Sequence, residues 1–398
     1  MTHNPGTRFF LVALCACALL SAAALLPAPA ALEVAGAKGP PQVRWDVLAP
    51  VGYKNLTIFP VRASFAQRTD AYVTLDEGTK AGTIVITEKG AQSARRQRFR
   101  RGASNAANAA NQEAVSYDEG ASVNELTLVN RSGKKLLLLA GEVVVGGQQD
   151  RIVQEDRIIP PVSIPIALSV FCVEHGRWTP RVTSYVSGGG AGGGRGVAAE
   201  RAPAAAEVVE AAPPSPAKFS SLGAVAHPKL RAAAQDKKEQ TAVWSEVQKN
   251  NEKLGTENAT GTYQEVYANT QVVAQLDDYI KALEREVLQP GVVGVVVARN
   301  GRPVWADLFA SPALFAGYWP KLLKSYAVDA LGDNTSEKRP TVAEANAYLE
   351  ERDGTVSTTT QAGVYQLVKT EHPRYAVFDL RDISTPAPLR LHFNKMDR

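Results

Sequence analysis

The chain has 398 residues, with 44 Lys and Arg against 40 Asp and Glu and a net charge of +4. Five of the arginines stand between Arg95 and Arg101, and without them the sign reverses. The basicity therefore belongs to one segment, which argues against a nucleic-acid partner. Hydrophobic residues make up 45% of the chain, enough for one packed core or two. Of three cysteines, Cys15 and Cys17 lie near the amino terminus, so Cys172 stands alone and no intramolecular disulfide is expected beyond them.

Arg8, the apolar run Phe9–Leu26 and the small-x-small segment Ala28-Pro29-Ala30 follow one another in the order of a secretory signal. The expectation is a signal peptide over residues 1–31 and an exported protein, periplasmic or secreted. A retained membrane anchor and a lipoprotein with Cys17 acylated are the alternatives. The Pro- and Ala-rich segment suits cleavage better than anchoring, and Cys17 would leave a very short apolar region before it. No later run approaches the length of a transmembrane helix, so no span is expected after signal removal.

Residues 32–44 read as a flexible leader to a single domain over 45–398. Short β-branched runs follow at Leu56–Phe59, Ala71–Leu75 and Gly82–Glu88, each bounded by Pro, Gly or Asp. Residues 91–120 are poor in apolar side chains and read as a solvated insertion. Strands are expected again at Ser122–Asn130, Leu136–Val145, Arg151–Val153 and Ile164–Glu174. Residues 188–217 are Gly, Ala and Pro with a few charges, a second low-complexity insertion. The period then changes to a helical one at Gln235–Lys253 and Thr270–Leu288, where Leu276, Ile280, Leu283 and Val287 share a face. Asn300-Gly301 predicts a tight hairpin between Val292–Ala298 and Val304–Phe309. Ser311-Pro312 caps a helix running toward Leu331, and helix Val342–Glu351 with strands near Val364–Lys369 and Tyr375–Leu380 completes the chain. The class is α+β, with several antiparallel strands in a β-rich amino-terminal half and helices concentrated in the carboxy-terminal half.

The chain carries no phosphate-binding loop ending in Gly-Lys-Ser/Thr and no Gly-x-Gly-x-x-Gly opening a helix. Scattered histidines at 175, 227, 372 and 392 give no zinc spacing, so neither a metal nor a cofactor is expected. Residues 141–178 are different: Glu142, Gln149, Asp150, Arg151, Glu174, Arg177 and Trp178 sit at the ends of apolar strands beside glycines. Gln149, Asp150, Arg151, Arg177 and Trp178 are the candidate ligand contacts, with the arginines as a fork for an anionic small molecule and Trp178 as a stacking surface. Glu142 and Glu174 are the candidate acid/base residues. The competing reading makes these residues an internal ion-pair network and Trp178 a packing residue. Alternation along 166–174 puts Cys172 on an apolar face, which favours a buried thiol over a nucleophile. The Arg95–Arg101 run is read as a solvated loop rather than a site for an anionic polymer.

Four blocks carry a resemblance to a known family: Asn55–Pro60, Tyr72–Glu77 with Glu88 after it, Gly141–Arg151 and Cys172–Trp178. Weaker echoes stand at Val243-Trp244, Asp307–Phe309 and Tyr326-Ala327. In these blocks the chain resembles the ARPP-1 domain family over residues 45 to 370, and it departs from the family pattern at Gln148, where a lysine is expected. The family is named for its association with ADP-ribosylglycohydrolase and rhodanese-phosphatase proteins, and the resemblance implies a link to ADP-ribose or NAD-derived compounds. Two functions are therefore expected to compete. One is binding or hydrolysis of a phosphorylated, nucleotide-like small molecule. The other is a non-catalytic structural or interaction role in the cell envelope. The oligomeric state is not legible.

Overall fold

Alternating β-branched runs build two large β assemblies that share one apolar core. The computed structural model describes residues 43–89, 124–176, 218–333, 336 and 338–398. The expected signal peptide, the leader through residue 42, the Arg95–Arg101 run, Arg177, Trp178 and the stretches at 91–120 and 188–217 lie outside the described residues.

The first assembly is a closed antiparallel barrel of six strands. It runs β11 (Ile166–Cys172), β6 (Glu125–Asn130), β5 (Ile84–Glu88), β12 (Lys218–Val225), β8 (Glu142–Gly146) and β9 (Arg151–Val153) before β9 returns to β11. Its strands send Ile84, Ile86, Leu126, Leu128, Val144, Val153, Leu168, Val170 and Phe219 into one buried cluster. Closure removes the open edges that a six-stranded sheet would otherwise present. A small sheet of β10 (Arg157–Ile159), β7 (Lys135–Leu138) and β4 (Tyr72–Val73) lies beside it.

The second assembly is a nine-stranded antiparallel sheet. Its order is β1 (Trp45–Val47), β3 (Leu56–Ala63), β13 (Val292–Arg299), β14 (Arg302–Phe309), β18 (Leu389–Asp397), β17 (Tyr375–Asp382), β16 (Tyr365–His372) and β15 (Thr355–Gln361), with β2 (Val51–Tyr53) also on β3. Helices α2 (Pro228–Ala232), α3 (Gln240–Leu254), α4 (Thr270–Val287) and α5 (Pro312–Ala330) contribute to the core on one face, and α6 (Val342–Glu350) packs on the other through Ala345 and Leu349. Tyr318, Trp319, Leu322 and Leu323 of α5 are all buried, at roughly 1.5–3 kcal/mol each for side chains of this size. Among the described residues no helix is long and apolar enough to cross a membrane.

The α+β class read from the sequence holds, with a β-rich amino-terminal half and most helices in the second half. Asn300 (φ 51°) and Gly301 (φ 80°) make the hairpin turn in the left-handed region, and the Ser311 hydroxyl caps α5 through the Leu314 amide at 3.1 Å. Several elements differ. The expected strand Ala71–Leu75 stops at Val73, and α1 (Leu75–Lys80) begins behind a capping box of Thr74 and Glu77. The expected strand Leu136–Val145 is two strands, broken at Gly141 (φ 82°). The helix expected from Gln235 starts at Gln240. A π-turn over Ala233–Lys237 and a left-handed Lys238 precede it, and the Gln240 amide pairs with Cys172 N and O at 2.9 and 2.8 Å. Strands β15 and β18 were not expected, because Thr355–Gln361 is polar apart from Val356 and Leu389–Asp397 mixes charges into its apolar positions.

Candidate functional site

Strand ends bring the polar residues of Gly146–Arg151 and Cys172–Glu174 together at one mouth of the barrel. Glu174 carries the centre: its Oε2 accepts from the Asp150 amide at 3.2 Å, and its carbonyl accepts from Gln149 Nε2 at 2.9 Å. Asp150 in turn accepts from the Gly146 amide at 3.2 Å and from the Thr262 hydroxyl at 3.0 Å. Gln149, Asp150, Arg151 and Glu174 are all buried. Gly147 is required here: its φ is 50°, and a Cβ would stand 2.3 Å from the Phe219 ring and 2.4 Å from Glu88 Oε1. That close approach lets Glu88 accept from the Gln148 amide at 2.9 Å.

Cys172 lies inside the same network, buried, with its thiol 3.2 Å from Gln149 Oε1. Burial pushes the thiol up to about 11, with Glu88 and Glu174 adding to the effect and Arg151 opposing it. Burial and a raised thiol fit the packing reading of Cys172. His175 is exposed and makes an edge-to-face contact with Trp244.

Glu142 is not part of this group. It begins β8, whereas Gly146 at the mouth ends it, a separation of roughly 13 Å at the rise of an extended strand. Glu142 and Glu174 thus belong to different hydrogen-bond networks, one at each end of β8. Glu142 accepts from the Leu139 amide at 2.9 Å and from the buried Lys321 ammonium. Lys321 also meets Asp76 Oδ2 at 3.0 Å and lies over the Tyr318 ring at 4.6 Å. Burial works against the Lys321 cation, but Glu142 and Asp76 outweigh it and raise its pKa above the ordinary lysine value. Burial likewise raises the Glu142 carboxyl, against the pull of Lys321.

Asp76 takes this buried chain to the surface. Its side chain is 37% exposed, and its Oδ1 accepts from the Ser221 hydroxyl. A β-bulge between Ser221 and Val225 interrupts the pairing of β12 with β8 beside it. Asp76, Thr79, Lys80, Ser220, Ser221, Leu222 and Gly223 line an open groove of about 380 Å³. The groove thus holds a carboxylate with a fixed cation behind it, three hydroxyls and a lysine.

A second charge cluster is sealed. Asp307 is fully buried and accepts from both Arg231 guanidinium nitrogens at 2.8 and 3.0 Å. It also accepts from Trp305 Nε1 at 2.9 Å, Asn394 Nδ2 at 2.9 Å, His392 Nε2 at 3.0 Å and the Tyr326 hydroxyl. His392 Nδ1 meets Asp156 at 2.6 Å, and Asp156 accepts from the Ala140 amide at 2.7 Å. With a carboxylate on each nitrogen the ring is an imidazolium: burial opposes the charge, but Asp156 and Asp307 lift its pKa to about 9. Burial alone would raise the Asp307 carboxyl, yet Arg231 and His392 hold it well below the usual range. The turn Leu139–Glu142 sits between the two clusters, and a Cβ on Gly141 would stand 2.5 Å from Arg231 Cγ.

Asp76, Ser221, Lys321, Arg231, Asp307, Asp156 and His392 were not assigned to a site by sequence reasoning, although Asp76 and Asp307 stand in the family-like blocks. The available signals were Thr74-x-x-Glu77, which starts a helix, and single charges set in apolar runs, as in Trp305-Ala-Asp-Leu-Phe309 and Trp319-Pro-Lys-Leu-Leu323. Among the described residues no group of three or more His, Cys, Asp or Glu is arranged to hold a metal ion.

A closed six-stranded barrel joined to a helix-covered antiparallel sheet, with buried charge between them, defines an α+β protein with sealed and open polar regions. Residues 44–380 match the ARPP-1 domain, the ARG and Rhodanese-Phosphatase-superfamily-associated Protein domain, and the chain belongs to that family. No curated protein and no solved structure matches the chain.

Proposed function

We propose that the protein binds a phosphorylated, ribose-containing small molecule of the ADP-ribose class in the groove at Asp76. One observation carries this reading: Asp76 presents a partly exposed carboxylate to an open groove while the buried Lys321 holds its Oδ2 from behind and the groove-lining Ser221 hydroxyl holds its Oδ1. A carboxylate held in this way accepts from ligand hydroxyls without reorganising. Ser220 offers a hydroxyl beside it, and Lys80 supplies a cation for a phosphate. Glu142 acts through Lys321 as a positioning residue, and the association in the family's name supports the ADP-ribose class. On this reading Gln149, Asp150, Arg151 and Glu174 hold the barrel mouth. Arg177 and Trp178 follow that mouth in sequence and keep their place as candidate contacts. The amino-terminal sequence supports export, so the ligand is met outside the cytoplasm, and cell fractionation tests that part.

The test is a thermal-shift series with ADP-ribose, AMP and ribose 5-phosphate. A ligand at a hundred times its Kd adds about 2.7 kcal/mol to stability and raises the midpoint. The shift is expected to vanish in Asp76→Asn and weaken in Lys80→Ala, while persisting in Arg151→Ala at a lower starting midpoint. A shift that survives in Asp76→Asn contradicts the proposal. The second reading, a non-catalytic structural or interaction protein, is favoured by the burial of Asp150, Arg151 and Glu174. It gains the field if no ligand moves the midpoint.

A further inference from the structure

We propose that β15 is a self-pairing edge through which two copies of this chain associate about a two-fold axis. The strand Thr355–Gln361 ends the nine-stranded sheet, and among the described residues it pairs with β16 alone. Every one of its residues is exposed on both faces of the sheet, including Val356 at 62%. An outer row of backbone N–H and C=O groups is thereby offered to another chain.

Edge strands in monomers are commonly guarded by lysine, proline, a bulge or a covering segment. This one has none of the first three. Its sequence is Thr-Val-Ser-Thr-Thr-Thr-Gln, and its register with β16 runs unbroken from Thr355↔Glu371 to Gln361↔Tyr365. The composition is rich in residues that favour extended backbone and carries no charge.

The occupant that suits the edge is a second copy, because the strand is complementary to itself. Outward backbone groups fall on alternate residues, so only residues of the same parity can stand opposite one another. In an antiparallel pair of identical strands the two-fold axis must then pass through a residue. The register that uses all seven residues places it at Thr358. Thr358 then faces the partner's Thr358, Ser357 faces the partner's Thr359, and Val356 faces the partner's Thr360. Each pair is neutral and β-branched or hydroxylated, the kind that stabilises antiparallel ladders. No like charges oppose each other, and the contact is isologous and closed. Two seven-residue strands cover less area than a standard interface, so the dimer forms as concentration rises rather than permanently.

Sedimentation velocity of the purified chain over a concentration series tests this. The wild type is expected to move from monomer toward dimer mass between micromolar and millimolar protein. Thr358→Lys and Thr358→Glu each place like charges across the axis and are expected to remain monomeric with unchanged unfolding midpoints. An equimolar mixture of the two variants is expected to recover the dimer mass. A wild type that stays monomeric throughout overturns the proposal, as does a dimer that persists in either variant or a mixture that fails to reassociate.

Discussion

Asp307 and Asp76 are two carboxylates held by buried cations, and they differ in access rather than in chemistry. Asp307 has six donors around it and no exposed surface, whereas Asp76 has two fixed partners and an open groove in front. In the first, every charge is spent on a neighbour: Arg231 and His392 balance Asp307 and Asp156 within the core. In the second, the supporting charges lie inside and the carboxylate's outer side is left for something else. Buried, mutually balanced charge therefore marks architecture here, and partly exposed charge with a rigid support marks the place for a ligand.

The largest effect expected from this contrast is on the sealed side. Arg231→Met leaves Asp307 without its bidentate partner and should cost about 3–5 kcal/mol in urea unfolding. A loss under about 1 kcal/mol would mean that the cluster is not a structural unit.

The next effect is pH dependence. His392 has a folded pKa of about 9 against the ordinary 6.5, so protonation favours the folded state. Its contribution is fully present below pH 6.5, and stability is lost as pH rises from there through about 9. The total for a fully buried group is at most about 3 kcal/mol. Unfolding midpoints measured across that window should fall in the wild type and lose that slope in His392→Gln. Equal slopes in the two proteins would remove the imidazolium from the account.

A smaller effect sharpens the comparison at the barrel mouth. Gly147→Ala forces a Cβ against Phe219 and Glu88 at positive φ and should cost about 1–3 kcal/mol in the same unfolding assay. An unchanged midpoint would show that the mouth relaxes freely. Smallest of all is Asp76→Asn, which keeps the shape of a partly exposed side chain and should change stability by no more than about 1 kcal/mol while abolishing ligand binding.

How much of this was legible follows from period and context. The helix at Thr270–Val287, the Asn300-Gly301 hairpin and the Ser311 cap rest on local signals, and each stands where those signals put it. The grouping of Gln149, Asp150 and Glu174 followed from strand ends lying near one another in sequence. Thr74 and Leu75 were read into a strand because Tyr72-Val-Thr-Leu75 is β-branched and aromatic, although Thr74 and Glu77 form a capping box that overrides it and starts the helix that carries Asp76. The pairing of Glu142 with Lys321, and of His392 with Asp156, joins residues 179 and 236 positions apart, which no local pattern encodes. β15 was missed because its alternation has no apolar face: with both sides in solvent, the period-two signal disappears.

The central claim is that the ligand sits at Asp76 and not at the barrel mouth, and backbone hydrogen exchange with and without ADP-ribose tests it most directly. The account predicts added protection at residues 76–80 and 220–223, with Gly146–Arg151 and Cys172–Gly176 unchanged. Protection confined to Gly146–Arg151 and Cys172–Gly176 would contradict it and return the site to the strand ends.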